Sequence, residues 1–290
     1  MYVGRFAPTP SGRLHLGSML ALVGSYLRAR SCGGRFLLRV EDLDRARCAD
    51  QNTSLILEEI ALLGIRADAE PLIQSRHPER YEEALSALKS AGLTFYCDCT
   101  RASLKRAPCR CESRQEQLLS SPQALALRAH LPAVPSGFED KLLGQVEIGD
   151  PYPYLTLRRS DKVISYNLAC VFDDIKAQVS EVVRGQDLCY VTPRQIALIR
   201  ALGGAVPAYV HLPVLLGPDG QKLSKQNHAV PALERGTPAQ VLLTTLDLLG
   251  QETADLKEDM QPAAILERAA SRFDLGRIPR APLEVERRWL

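Results

Sequence analysis

The chain has 290 residues, 46% hydrophobic and 24% charged, which excludes a disordered chain and allows one large core or two smaller ones. Its net charge of +2 does not mark a general nucleic-acid binder, so any contact with RNA must come from local basic clusters. No apolar run approaches the ~20 residues needed to cross a bilayer. Met1 leads straight into a strand-like segment without the parts of a secretory signal, so a cytosolic, cytoplasmic protein without membrane contact is expected.

Residues 1–95 alternate strand and helix signals: an extended start, an apolar helix over 14–29, a strand over 35–40, a helix over 53–63 and an amphipathic helix over 78–90. In the last, Tyr81, Ala84, Leu85 and Leu88 share one face. This is the opening of a parallel α/β layer. Residues 96–153 form a differently textured, turn-rich insertion with clustered cysteines. From 154 to 227 the α/β texture resumes, with strands over 155–158 and 178–183 and a helix over 192–202 opened by a Thr cap and a Pro. Residues 228–290 read as a short helical C-terminal segment.

Two segments carry the chemistry. In Arg5-Phe-Ala-Pro-Thr-Pro-Ser-Gly-Arg-Leu-His15-Leu-Gly17-Ser18 a strand enters a Pro/Gly turn and then a helix. A helix N-terminus offers backbone N–H groups and positive partial charge to phosphates, Gly17 permits close approach, and His15 would add a donor. The same residues also suit an ordinary turn with a capping histidine. Gly217-Pro-Asp-Gly-Gln-Lys222-Leu-Ser-Lys225-Gln-Asn227 is a turn-rich loop whose lysines could stabilise a leaving pyrophosphate, or simply stay solvated. Of the eight cysteines, Cys97, Cys99, Cys109 and Cys111 crowd together and supply enough thiolates for a tetrahedral, structural Zn²⁺. Either all four bind, or only one of Cys109 and Cys111 joins the first pair, or the thiols stay metal-free.

His15-Leu-Gly-Ser18 and Lys222-Leu-Ser-Lys225-Gln226 resemble, in this order, the paired ATP-binding motifs of class I aminoacyl-tRNA synthetases, with Ser18 and Gln226 departing toward the glutamate-handling branch. The resemblance continues through Leu38-Arg-Val-Glu-Asp42, Tyr96-Cys-Asp-Cys-Thr-Arg101 and Val183-Arg-Gly-Gln-Asp-Leu188 and covers nearly the whole chain. Nothing as large as an anticodon-binding region follows Lys225, which makes the chain similar to the glutamyl-Q tRNA(Asp) synthetase family rather than to full-length glutamyl-tRNA synthetases.

The resemblance implies a Rossmann-type parallel sheet with an inserted zinc-bearing subdomain. It also implies ATP with Mg²⁺, tRNA-independent activation of L-glutamate, and transfer to the queuosine base of tRNA(Asp), by a protein expected to be a monomer. It implies His15, Lys222 and Lys225 as catalytic, with His15, Gly17, Ser18 and Lys225 on ATP. For glutamate it implies Arg5, Phe6, Ala7, Pro8 and Thr9, with Glu41 on the α-ammonium and Arg5, Tyr166 and Arg184 on the carboxylates. The family's zinc pattern matches Cys97 and Cys99 but then has a tyrosine and a cysteine four residues apart, from which this chain departs. The alternatives are a truncated or atypical glutamyl-tRNA synthetase acting on a tRNA 3′ end, and a catalytically silent tRNA-binding paralogue.

Overall fold

A computed structural model of the chain describes all residues except 121, 150, 151, 224–229, 287, 288 and 290, and all side chains among these except that of Arg101. The chain opens with β1 (Val3–Phe6), α1 (Leu16–Ser31), β2 (Arg35–Val40), α2 (Asp50–Leu62) and β3 (Leu72–Ile73), and the three strands pair in parallel in the order β1-β2-β3. After α3 (Tyr81–Ser90) come β4 (Thr94–Cys97), α4 (Arg101–Arg106), α5 (Gln115–Leu119), β5 (Ala126–His130), the hairpin of β6 (Gly137–Asp140) and β7 (Gly144–Glu147), and β8 (Tyr154–Arg158). Then follow α6 (Tyr166–Lys176), β9 (Glu181–Gly185), α7 (Thr192–Ala201), β10 (Ala208–Leu212) and β11 (Leu215–Leu216). The chain closes with α8 (Pro238–Leu248), α9 (Pro262–Ser271) and β12 (Leu283–Glu284).

The parallel layer is split in sequence and rejoined in space. β9 pairs in parallel with β10, and Ser180 beside it donates its N–H to the Val3 carbonyl at 3.0 Å, while its Oγ accepts from Val3 N at 2.9 Å. The resulting order is β3-β2-β1-β9-β10-β6-β7, with β6 parallel to β10 and antiparallel to β7. Crossover helix α1 is buried around most of its circumference, because the sheet covers one side and α8 and α9 the other; Leu20, Leu22, Leu27, Val241, Leu246 and Ile265 share one core. α8 starts sharply, since Thr237 and Gln240 form a reciprocal capping box with Pro238 in the first turn.

Some boundaries differ from the sequence expectation for identifiable reasons. Residues 155–158 pair antiparallel with β5 in a separate sheet, β4-β5-β8, rather than resuming the parallel layer. Gln178 takes a left-handed conformation (φ 53°) that closes α6, so β9 starts at Glu181. Thr192 does not cap α7; its hydroxyl is spent on Leu188 O and on a guanidinium described below. Among the described residues no helix is long and apolar enough to cross a membrane.

Candidate active site

The turn after β1 is tied down from both sides. Pro8 O accepts from Glu41 N at 2.9 Å, Arg13 Nε and Leu14 N both donate to the Glu59 carboxylate (2.7 and 3.0 Å), and Asn52 holds Pro10 O. His15 is the N-cap of α1, its Nδ1 accepting from Ser18 N at 3.3 Å. A neutral imidazole that accepts at Nδ1 carries its proton on Nε2, so any donation to a ligand falls to that atom. A Cβ on Gly17 would stand 3.0 Å from His15 Cε1 and 3.9 Å from the Leu223 carbonyl oxygen. The base of the lysine-bearing loop is therefore packed against the amino-terminal turn. Leu223 is buried and donates to Leu215 O at 2.7 Å, and Lys222 Nζ reaches Asp187 Oδ2 at 2.5 Å. Lys225 lies outside the described residues.

The four groups expected around an amino acid converge where β1, β2, β9 and α6 meet. Arg5 and Arg39 share the Asp174 carboxylate, Arg5 through Nε (3.1 Å) and Nη2 (3.3 Å) and Arg39 through Nη1 (2.5 Å). Burial alone would lift the Asp174 carboxyl, but Arg39 and Arg5 hold it below the usual carboxylate range. Arg39 also meets Glu41, at 3.0 and 3.3 Å, with both contacts on Oε1; among the described residues nothing donates to Oε2. Burial pushes the Glu41 carboxyl up, against the pull of Arg39 and Arg5. Tyr166 stands at the start of α6, 38% exposed, within the fields of Glu41, Arg184 and Arg5. Beside Glu41, a cleft of about 610 Å³ opens between Asp42, Arg45, Asp50, Ser75 and Arg76.

Arg184 is buried and held by neutral partners: Nε donates to His211 Nε2 at 3.0 Å, Nη1 to Gln195 Oε1 and Nη2 to Thr192 Oγ1, both at 2.7 Å. Among the described residues no carboxylate pairs with it. A guanidinium has five N–H donors, so the side chain is fixed in place with donors and a full charge left for an anion. Phe6 is core, while Ala7, Pro8 and Thr9 form the turn itself.

Sequence reasoning gave no role to Arg39, Asp174, His211 or Asp140. Their signal was there as polar residues at buried positions: Asp174 on the apolar-sided α6, and His211 in a strand otherwise made of Ala, Tyr, Val and Leu.

The cysteines gather at one point. All four Sγ atoms lie within 4.8 Å of one another, with separations of 3.8 Å (Cys97 to Cys109), 3.9 Å (Cys99 to Cys109) and 3.5 Å (Cys99 to Cys111). Tetrahedral zinc with Zn–S bonds of about 2.3 Å sets its sulfurs about 3.8 Å apart, so the donor set fits the ion. Arg128 and the Cys99 backbone N–H donate to Cys97 Sγ, and Arg114 donates to Cys111 Sγ, which in turn lies 3.2 Å from Asp98 Oδ1.

Residues 2–272 match the family model of the catalytic domain of class I tRNA synthetases (E and Q). The chain belongs to that family. It is thus a ligase of the aminoacyl-tRNA synthetase type. It is 40% identical over 283 residues to a glutamyl-Q tRNA(Asp) synthetase of Cronobacter sakazakii, covering 97% of this chain and 94% of that one. It is 39% identical over 284 residues to the protein of the same name from Escherichia coli K12, covering 97% and 92%. The synthetase fold is shared with a glutamate-tRNA synthetase from Elizabethkingia anophelis, with a TM-score of 0.80 at 22% identity, over 99% of this chain and 68% of that one.

Proposed function

We propose that this synthetase activates L-glutamate with ATP, without needing tRNA, and passes it to the queuosine base of tRNA(Asp). The observation that carries the reading is the charge complementarity of one buried site. Among the described residues Arg184 is an anchored cation without a carboxylate partner, and Glu41, on the opposite element, keeps one oxygen without a donor. An amino acid with an extra carboxylate answers both: an ammonium at Glu41 and a carboxylate at Arg184. The names of the relatives support glutamate, tRNA(Asp) and queuosine as the substrates.

In the proposed reaction the glutamate α-carboxylate attacks the α-phosphorus of ATP and pyrophosphate leaves. A queuosine hydroxyl then attacks the glutamyl carbonyl and AMP leaves. His15, Gly17 and Ser18 would line the triphosphate, and Lys222 and Lys225 would steady the charge growing on pyrophosphate. Mg²⁺ would arrive with the nucleotide and neutralise phosphate oxygens. No side chain serves as a nucleophile; catalysis is positioning and charge stabilisation. Cys97, Cys99, Cys109 and Cys111 would hold Zn²⁺, whose contribution is to tie β4 to the loop before α5.

The test is glutamate-dependent pyrophosphate exchange without RNA, followed by transfer to tRNA(Asp) with and without queuosine. Exchange together with transfer only to the modified tRNA is expected. Transfer to a 3′ end, or no exchange, defeats the reading.

A further inference from the structure

A second cluster, made of residues other than those given to glutamate and ATP, lies where the antiparallel sheet meets α7. Arg128 on β5 is 6% exposed; its Nη1 donates to Cys97 Sγ at 3.7 Å and its Nε has no hydrogen-bond partner among the described residues. Its guanidinium sits 5.8 Å from the ring centre of Tyr152 and 5.9 Å from that of Tyr154. Those two rings meet edge to face at 5.3 Å, and Tyr152 is 38% exposed. Tyr190, in the turn before α7, is 60% exposed. Arg194 follows it by one helical turn, close enough for the charges of Tyr190, Tyr152 and Arg128 to act on it. Burial pulls the Arg194 guanidinium below its ordinary range, and Arg128 adds to the fall against the two tyrosines.

Among the described residues neither Arg128 nor Arg194 has a carboxylate partner. Neighbouring guanidiniums removed from water without a counter-ion are costly, and a cluster of this kind is stabilised when an anion arrives. A zinc-bound thiolate at Cys97 would answer Arg128 in part; among the described residues Arg194 has no such neighbour. The exposed rings specify the anion further. An acidic peptide would supply charge alone, whereas single-stranded RNA brings phosphates for the cations and unstacked bases for flat aromatic faces. Thr192, which lies between Tyr190 and Arg194 in sequence, is bonded to Arg184, so the cluster borders the amino-acid site.

We infer that Arg128, Tyr152, Tyr190 and Arg194 form the surface that holds the RNA strand flanking the acceptor nucleoside, with phosphate against the guanidiniums and unstacked bases against the rings. The inference rests on the proposed transfer of glutamate to RNA. It is tested in the full-length, metal-loaded enzyme with Tyr190→Ala, Tyr190→Phe and Arg194→Ala, using queuosine-bearing tRNA(Asp) as the probe. Retention of this tRNA on filters and the KM for transfer are measured, with RNA-free pyrophosphate exchange as the folding control.

Each alanine variant is expected to weaken tRNA binding and raise its KM about tenfold, as loss of one stacked base or phosphate contact does. Exchange should stay close to that of the unsubstituted enzyme. Tyr190→Phe, which keeps the ring, should bind like the parent. Unchanged binding in both alanine variants, or Tyr190→Phe as defective as Tyr190→Ala, overturns the surface. If the parent transfers no glutamate while the alanine variants still bind tRNA tenfold more weakly, the functional reading falls and the surface stands.

Discussion

His211 Nδ1 stands 2.7 Å from Asp140 Oδ2, both side chains fully buried, and the other ring nitrogen accepts Arg184 Nε–H at 3.0 Å. Asp140 thereby selects the tautomer of His211, and the tautomer holds the arginine. Asp140 comes from the β6–β7 hairpin, so a segment of the insertion helps to set the amino-acid site of the α/β layer.

In Asp140→Asn the amide oxygen stays with the Leu142 and Leu143 N–H groups and the amide NH2 faces His211 Nδ1, so His211 should turn an N–H toward Arg184 and loosen it. Steady-state exchange kinetics are expected to show a KM for glutamate raised roughly tenfold, equivalent to about 1.4 kcal/mol, with a smaller change in kcat. An unaltered KM would refute the coupling.

Arg184→Lys keeps the charge but cannot hold His211, Gln195 and Thr192 while presenting a fork to a carboxylate. Its glutamate affinity, read by calorimetry, should fall by about tenfold or more, since bonds to charged groups contribute about 1.5–3 kcal/mol. Binding equal to that of the parent would remove Arg184 from the glutamate site.

The buried histidine also predicts a pH dependence of stability. Burial pulls His211 below the ordinary histidine range; the bond to Asp140 resists, and the Arg184 charge adds to the fall. Below about pH 6.5 the unfolded chain takes up a proton that the folded chain refuses, so this contribution is complete above that pH and is lost as pH falls. Asp174, held low by two arginines, matters only in stronger acid. Melting curves between about pH 8 and pH 5.5 should show the loss in the parent and less of it in His211→Asn.

Zinc content should be one ion per chain by elemental analysis. Chelation, or Cys111→Ser, should lower the melting temperature, because the site would then lose the ion that ties β4 to the α5 region. A metal-free preparation melting like the untreated protein would count against the site.

Lys225→Ala is expected to depress adenylate formation by about a hundredfold, within the range seen when a transition-state charge donor is removed, while glutamate binding changes little. Pyrophosphate exchange at the parental rate would discard its assignment.

Much of the fold is legible because its signals are local. The face of Tyr81, Ala84, Leu85 and Leu88 appears as a buried stripe on α3, and the strand over 35–40 has the expected bounds. Residues 155–158 carry a clear strand pattern, but alternation says nothing about which strand they pair with, and they joined the antiparallel sheet. A threonine followed by proline reads as a cap, but in α7 that hydroxyl is captured by an arginine eight positions earlier.

Residue order alone determined the chemical inventory: the His15 turn, the lysine loop, the crowded thiols and the arginines at strand positions. Each is written within a few neighbouring residues and needs no partner to be seen. Only the tertiary structure decided what each charge faces. Arg5 meets Asp174 across 169 positions, and Arg184 rests on His211 and, through it, Asp140. Such pairings depend on how sheet and helices close around a shared interior, and burial there makes an unmet charge costly enough to specify its neighbour.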